Sequence, residues 1–217
     1  MKPDLTIDLL CEEAKIFAEQ ESQHKEKSLY GKTDGKAVGT YLEHKFQAYL
    51  GEKYTYIEGS SASGIDFPEL NVDMKVTRTT QPQSSCPYKS AGQKIYGLGY
   101  SLIVFVYEMI ENTENQTITL NILHTIFIET EYTADYQTTT GILNILENNG
   151  NQDDIVAFLF ERNLPVDDIG ANHIAEKILN TPPKIGYLTI SNALQWRLQY
   201  KRAIDLAGEV EGIRRIS

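Results

Sequence analysis

The sequence lacks any apolar run long enough to cross a membrane and has only two cysteines among its 217 residues. A membrane-spanning helix needs about 20 mostly apolar residues, so a membrane protein of that kind is excluded. Cys11 and Cys86 lie far apart, and neither has a second cysteine or a histidine at the spacing of zinc ligands. The first residues show no apolar signal core. We therefore expect a protein of the reducing cytoplasm, with no zinc site.

Positive charge is also scarce, since 20 Lys and Arg residues stand against 30 Asp and Glu residues and the net charge is −10. A phosphate-binding protein, however, needs only a local basic patch. Residues 181–217 hold six basic residues against three acidic ones. The six are Lys184, Arg197, Lys201, Arg202, Arg214 and Arg215. The C-terminal segment is therefore the part of the chain best suited to face an anion.

The composition is that of a globular protein, with 41% hydrophobic and 23% charged residues. We predict a catalytic domain over residues 1–150 and a second module over residues 151–217. The predicted elements are helices at 5–23, 37–50 and 89–98, strands at 54–57, 65–67, 71–77, 101–107 and 117–128, the last interrupted near His124, and helices beyond 133. The continuous apolar run 101–107 predicts a strand buried on both faces of a mixed sheet.

The most informative segment is 64–77, in which polar and apolar residues alternate from Asn71 onward. In a strand, this alternation places Asp73, Lys75 and Thr77 on one face. If Glu69 and Leu70 form a two-residue turn, Asp66 lies across from Asp73. Like charges in that position are destabilising, so the pair predicts a cation between them. Mg²⁺, which prefers carboxylate oxygen and retained water, fits the need.

Lys75 adds the remaining chemistry of phosphodiester hydrolysis, because a lysine can orient water and stabilise charge developing on phosphorus. Glu43, on the preceding helix, is the candidate third carboxylate. Two alternatives stay open. The hairpin face can be simply solvated, and Glu43 can lie on a solvated helix face, as we expect for Glu12, Glu13 and Glu19.

These residues together resemble the core of the PD-(D/E)xK nuclease superfamily, which includes most type II restriction endonucleases. The resemblance covers residues 37–108. It implies an α/β fold with an αβββαβ core, in which helices flank a mixed central sheet. It also implies that Asp66 and Asp73, joined by Glu43, are metal ligands and that Lys75 is the catalytic lysine. The sequence departs from the usual motif in having Ile65 for proline, Asp73 for glutamate and a short interval between Asp66 and Asp73.

The loop after Lys75 is rich in groups that can hydrogen-bond bases or phosphates. Its candidate DNA-binding residues are Arg78, Thr79, Gln81 and Gln83. A solvated connection is the open alternative.

Residues 151–217 look like a winged helix-turn-helix. Helices are predicted at 153–161 and 172–179, followed by a third from Thr189 or Ser191 to Leu206, and the wing is predicted at 209–216. In that family the third helix reads the major groove. The predicted base contacts are then Ser191, Asn192 and Gln195. The predicted phosphate contacts are Arg197, Lys201, Arg202, Arg214 and Arg215. The open alternative is a helical subdomain that supports the core.

We therefore expect a Mg²⁺-dependent type II restriction endonuclease that cuts double-stranded DNA at a specific sequence. Cleavage of both strands of a symmetric site predicts a homodimer. A repair, junction-resolving or transposon-end nuclease with the same core is the enzymatic alternative. A winged-helix transcription regulator is the non-enzymatic one, and the carboxylate hairpin argues against it, because a regulator has no use for Asp66 facing Asp73 beside Lys75.

Overall fold

A computed structural model describes residues 2–32, 34–59, 64–191 and 196–217. Its helices are α1 (Ile7–Glu21), α2 (Gly35–Lys53), α3 (Gln93–Tyr96), α4 (Tyr136–Glu147), α5 (Gln152–Glu161), α6 (Asp168–Asn180) and α7 (Lys201–Leu206). Its strands are β1 (Val72–Arg78), β2 (Gln83–Cys86), β3 (Ser101–Asn112), β4 (Thr117–Ile128), β5 (Thr189–Ser191), β6 (Trp196–Gln199) and β7 (Ile213–Arg215). Within the described ranges, no helix is long and apolar enough to cross a membrane.

The chain forms two compact units, each built from separate segments. Unit 1 comprises residues up to 84, 101–128 and 206–217, and unit 2 comprises 85–100 and 129–205. This division does not coincide with the predicted boundary at residue 150. The reason is the sheet of unit 1, which takes its strands from all three of its segments.

The sheet of unit 1 has the strand order β1-β3-β4-β7. β1 runs parallel to β3, whereas β3 and β4 are antiparallel. The first seven residues of β3 are buried, as the prediction of a strand buried on both faces requires. Helix α1 packs against β4 and helix α2 against β1. The predicted mixed central sheet with flanking helices is thus confirmed.

Helices α1 and α2 are joined by two similar polar clusters as well as by apolar packing. Each cluster holds one glutamate of α1 against a tyrosine and a lysine spaced four residues apart on α2. The clusters are Glu13 with Tyr49 and Lys53, and Glu21 with Tyr41 and Lys45. The expectation that Glu13 is solvated was wrong, since it is only 8% exposed and accepts three hydrogen bonds.

The hairpin before β1 is smaller than predicted. The predicted strand 54–57 is reduced to one bridge between Thr55 and Asp4, and only Phe67 of 65–67 pairs with Val72. The turn is not the two-residue one expected: Pro68–Leu70 form a 3-10 turn and Asn71 adopts a left-handed conformation with φ 54°. The pairing of Phe67 with Val72 nevertheless gives the predicted register, which brings Asp66 beside Asp73.

The predicted irregularity in the strand 117–128 is present as a bulge. Val106 of β3 pairs with His124, and the next residue, Tyr107, pairs with Ile122. Leu123 is therefore the extra residue of β4. The strand continues on both sides of it, so the bulge bends β4 without ending it.

Unit 2 contains α4, α5 and α6, whose buried faces share a core that includes Ile142, Leu159 and Ile178. The helices predicted at 153–161 and 172–179 are thus confirmed as α5 and the main part of α6. The helix predicted over 89–98 forms only the single turn α3.

The predicted third helix of the winged helix-turn-helix was wrong. Thr189–Ser191 and Trp196–Gln199 form antiparallel strands in a sheet with the order β2-β6-β5, and among the described residues of the predicted helix only Lys201–Leu206 are helical. The physical reason is the alternation at 196–200, where Trp196, Leu198 and Tyr200 are buried while the residues between them are exposed.

The predicted wing was wrong as well. Ile213–Arg215 form β7, which pairs with β4 in the sheet of unit 1. Arg214 forms an ion pair with Asp8 at 2.9 Å, and the Arg215 guanidinium donates to the backbone carbonyl of Ala207. These two arginines belong to the framework of unit 1 and not to a DNA-reading module.

Candidate active site

A cavity of about 310 Å³ in unit 1 brings together the four predicted catalytic residues. Glu43 reaches it from α2, Asp66 from the segment before the 3-10 turn, and Asp73 and Lys75 from β1. The other side chains and backbone that line it include those of His44, Gln47, Gly59, Gly64, Ile65 and Met74. Residues distant in sequence thus form a single polar site.

Strand β1 supplies the two residues that the alternation predicted on one face. Asp73 is 4% exposed, and its Oδ2 lies 2.5 Å from the Nζ of Lys75. Asp66 is held by the backbone of the same strand, because the N–H of Met74 donates to its Oδ2 at 2.7 Å. Both carboxylates are therefore fixed by groups of β1.

Gly59 lets a further stretch of backbone approach Asp66. Its N–H donates to the carbonyl of Asp66 at 2.9 Å. A Cβ at this position would lie 1.9 Å from the carbonyl oxygen of Ile65, so only glycine fits. This contact fixes the backbone on the side of Asp66 away from β1.

Helix α2 supplies Glu43 because its apolar stripe fixes which way the helix faces. Val38, Leu42, Phe46 and Leu50 are all fully buried in the core of unit 1. Glu43 follows Leu42 directly and is only partly buried, at the edge of this stripe. Glu43 was suggested in the sequence by its position beside this apolar stripe. In the structure, the same position faces the cavity.

The carboxyl groups crowd one another. Burial raises the pKa of Glu43 to about 7, with the charge of Asp66 and a hydrogen bond to it adding to the effect and Lys75 opposing it. Burial likewise raises the pKa of Asp73 to about 7, opposed by the charge of Lys75 and reinforced by a hydrogen bond to Asp66. Three carboxyls around one ammonium group create a demand for a further cation.

The carboxylates that line the cavity are candidate ligands for Mg²⁺. Within the ranges that the structure describes, no group of three or more His, Cys, Asp or Glu side chains is arranged to hold a metal ion. Mg²⁺, however, is commonly bound by one or two carboxylates together with waters. Asp66 and Asp73, which are hydrogen-bonded to each other and both line the cavity, fit that pattern.

The predicted DNA-binding loop begins where β1 ends. Thr79 and Gln81 are exposed, and Gln83 begins β2. Arg78 lies on the other face of β1 from Lys75, and its guanidinium contacts the Tyr107 hydroxyl at 3.3 Å. The loop thus presents neutral polar groups, while the side chain of Arg78 is directed to the sheet.

The loop is anchored by a residue that sequence reasoning did not assign to the site. Thr77 is 4% exposed, and its hydroxyl accepts from the N–H of Gln83 at 2.9 Å and donates to the carbonyl of the same residue at 3.1 Å. The alternation of β1 places Thr77 on the face of Asp73, which was the only signal in the sequence.

The predicted DNA contacts of the C-terminal segment that the structure describes are divided among β5, β6, α7 and β7. Ser191 lies in β5 and pairs with the exposed Arg197 of β6, while Lys201 and Arg202 belong to α7. Lys201 forms an ion pair with Asp205 at 3.3 Å, and the Arg202 guanidinium lies 3.7 Å from the centre of the Tyr136 ring. Asn192 and Gln195 lie outside the described residues.

Comparison with known proteins gives one consistent relationship. The chain matches the family of the type II restriction enzyme NspV over residues 4–215. It is 63% identical over 209 residues to the type II restriction enzyme NspV of Nostoc sp. (strain ATCC 29411 / PCC 7524), covering 96% of this chain and 95% of that protein. No solved structure matches the chain.

Proposed function

The chain belongs to the NspV family of type II restriction enzymes, and we propose that it is a restriction endonuclease which hydrolyses phosphodiester bonds in double-stranded DNA. The observation that carries the proposal is the cavity that joins Glu43, Asp66 and Asp73 to Lys75. We further propose that this cavity is the active site, that it requires Mg²⁺ and that the fold of unit 1 is a PD-(D/E)xK nuclease core.

The proposed reaction joins a water oxygen to phosphorus, breaks one phosphorus–oxygen ester bond and returns a proton to the leaving oxygen. Negative charge grows on the phosphate oxygens in the transition state, and the ammonium of Lys75 is the cationic side chain that lines the cavity. Its pairing with Asp73 holds it in place before substrate arrives. A charge positioned in advance stabilises the transition state without reorganisation at the moment of reaction.

Asp66 and Asp73 are the proposed metal ligands, and Glu43, hydrogen-bonded to Asp66, is the proposed third carboxylate. Mg²⁺ held there would lower the pKa of a bound water and neutralise charge on the phosphate. The raised pKa values of Glu43 and Asp73 support this assignment, because burial and the neighbouring Asp66 disfavour their ionised forms in the absence of a further cation. Binding of the cation would remove that repulsion.

The test is incubation of the purified protein with plasmid DNA and Mg²⁺, followed by sequencing of the ends. We expect discrete fragments with ends at one short sequence, and no cleavage when EDTA is added. Lys75→Ala is the matched control for a contaminating nuclease. Cleavage that persists in EDTA or in the Lys75→Ala preparation would contradict the proposed site, and uncut DNA at all metal concentrations would contradict the activity.

We propose two surfaces for DNA contact. Thr79 and Gln81 lie in the loop that follows β1, and Gln83 begins β2; all three are candidates for base or phosphate contacts. In unit 2, Arg197 is exposed on β6, and it is a stronger candidate for a phosphate contact than Lys201 or Arg202, which pair with Asp205 and Tyr136. Replacing Arg197 by alanine should lower the salt slope of log K by about one for all sequences.

We also propose a homodimer, because two strands of a symmetric site require two copies of the cavity. Sedimentation of the protein with and without a duplex that contains its site tests this. A protein that stays monomeric on DNA while cutting both strands would contradict it.

A further inference from the structure

Gln47 shares the cavity with the proposed catalytic groups, although nothing in the sequence motif includes it. It lies four residues after Glu43 on α2, so the two side chains project from the same face one helical turn apart. Gln47 is partly buried. Its backbone carbonyl accepts from the Tyr56 hydroxyl at 2.8 Å, whereas its side-chain amide has no hydrogen-bond partner among the described residues.

The orientation of Gln47 is fixed by contacts on the other side of α2. Tyr49 and Lys53 donate to Glu13 of α1 at 2.5 and 2.7 Å, and Lys45 lies 2.6 Å from Glu21. Apolar packing of the helix adds to this restraint. Because α2 cannot roll without breaking these contacts, Gln47 faces the cavity before any substrate binds.

Among the described residues that line the cavity, only the side chains of Lys75, His44 and Gln47 carry hydrogen-bond donors apart from the carboxyl groups. The three carboxylates of the cavity accept hydrogen bonds, and the ammonium of Lys75 is already paired with Asp73. The N–H of Met74 is taken by Asp66. A phosphodiester brings negatively charged oxygens that need donors, and a glutamine amide offers two N–H groups without adding charge.

We infer that Gln47 is a substrate-contacting catalytic residue, whose side-chain amide donates to a non-bridging oxygen of the scissile phosphodiester. The inference rests on the proposed nuclease function. The charge on that oxygen increases as water adds to phosphorus, so the hydrogen bond is stronger in the transition state than in the bound substrate. The contact therefore acts on the rate of the chemical step more than on affinity.

The first test compares Gln47→Met, which keeps a flexible unbranched side chain but removes both donors, with Gln20→Met as the matched control. Gln20 is exposed on α1 and lies outside the cavity. We expect Gln47→Met to lower the single-turnover cleavage rate about 100-fold, the lower end of the loss caused by removing one oxyanion donor. Its Kd for duplex DNA in Ca²⁺ should change less than about threefold, and Gln20→Met should match the wild type in both measurements.

The second test distinguishes a contact with substrate from support of the fold. Duplexes with a single phosphorothioate at the cut position, in each of the two configurations, replace one non-bridging oxygen by sulfur, a poorer acceptor. We expect the ratio of wild-type to Gln47→Met rate to fall several-fold for one configuration and to stay unchanged for the other.

Three outcomes would overturn the inference while the proposed function stands. These are a wild type that cuts DNA no faster than Gln47→Met, an equal ratio for both phosphorothioates, and a rate loss that tracks a fall in the folded fraction by circular dichroism. Failure of the wild type to cut DNA would instead overturn the proposed function, and the inference with it.

Discussion

Two buried aspartates, one in each unit, show how differently the same side chain can be used. Asp135 in unit 2 is 2% exposed and accepts hydrogen bonds from the N–H and hydroxyl of Thr138 and from the N–H of Ile190, at 2.6 to 2.9 Å. It also caps α4. Asp73 in unit 1 is 4% exposed, but its neighbours are Lys75 and a second carboxyl, that of Asp66.

The difference lies in the neighbours and not in the degree of burial. Three neutral donors satisfy Asp135, and the charge of the buried Lys94 adds a favourable interaction, so Asp135 stabilises the fold. Burial raises the pKa of Asp73 to about 7, opposed by the charge of Lys75 and reinforced by the hydrogen bond to Asp66 and by its charge. A buried acid left short of positive charge is costly to the fold, and such groups cluster at functional sites. The comparison therefore supports a structural role for Asp135 and the metal-ligand role that we propose for Asp73.

The largest effect that tests this assignment is expected for Lys75→Ala. The ammonium is the partner of Asp73 and acts chiefly in the transition state, so cleavage should fall below about one percent of wild type. Folding, followed by circular dichroism, and DNA affinity in Ca²⁺ should be nearly unchanged. Residual cleavage well above that level would remove Lys75 from the catalytic machinery.

The next test applies the same substitution to both aspartates. Asp135→Asn turns an acceptor into a group with its own donors, which then face the donors of Thr138 and Ile190. It should lower the free energy of unfolding by about 2–4 kcal/mol. Asp73→Asn removes a like-charge repulsion, so in EDTA at pH 8 it should leave the stability equal or higher. It should also abolish the stabilisation that Mg²⁺ or Ca²⁺ gives.

Thermal unfolding of both variants, with and without divalent cations, measures these changes in stability. A loss of stability in EDTA for Asp73→Asn as large as that of Asp135→Asn would mean that Asp73 has a structural role like that of Asp135. The distinction between the two units would then fail.

A smaller effect is expected in the pH dependence of stability without metal. The pKa of Asp73 is raised to about 7 in the folded protein, from an unfolded value of about 3.9. Between these values the folded state binds more protons than the unfolded state, so the stability that Asp73 contributes falls as the pH rises from about 4 to about 7. The free energy of unfolding of wild type, minus that of Asp73→Asn, should fall by on the order of 2 kcal/mol over this interval.

Urea unfolding in EDTA at several pH values measures this difference. Glu43→Gln should give a change of the same sign, since burial and Asp66 also raise the pKa of Glu43. A difference that rises with pH would mean that Lys75 dominates the environment of Asp73 and holds it ionised.

The hairpin was predictable because its information is local. Strict alternation fixes which residues share a face, and a register error of one would have moved Asp73 to the apolar side. The register of Asp66 with Asp73 was therefore predicted correctly although the turn between them was not. A 3-10 turn and a left-handed Asn71 replace the predicted two-residue turn. The apolar run of β3 was equally informative, because full burial on both faces leaves few other interpretations.

The structure of the C-terminal segment was predicted wrongly for the opposite reason, since it depends on partners that are distant in sequence. Ile213 is a strand residue because it pairs with Ile128 of β4. The β5–β6 hairpin is likewise held in a sheet with β2. Sequence windows rich in Ala, Leu, Arg and Gln favour helix locally, and tertiary pairing overrode that preference. Gln47 was not predicted from the sequence, because its position at the cavity depends on how α2 packs against α1.

The smallest expected effect concerns Thr77, which lies on the strand face of Asp73 but has the fully paired surroundings of Asp135. Thr77→Val keeps the shape of the side chain and leaves the N–H of Gln83 without its acceptor. The cost to the free energy of unfolding should be about 1 kcal/mol.

The same substitution tests whether the loop carrying Thr79 and Gln81 reads DNA. If it does, a loosened loop should reduce, a few-fold, the preference for the cognate site over sites that differ at one base. Thr77→Ser, which keeps the hydroxyl, should restore both. Cleavage rates on matched cognate and near-cognate duplexes measure the preference. An unchanged preference in Thr77→Val, with the stability loss present, would confine Thr77 to a structural role and move sequence reading away from this loop.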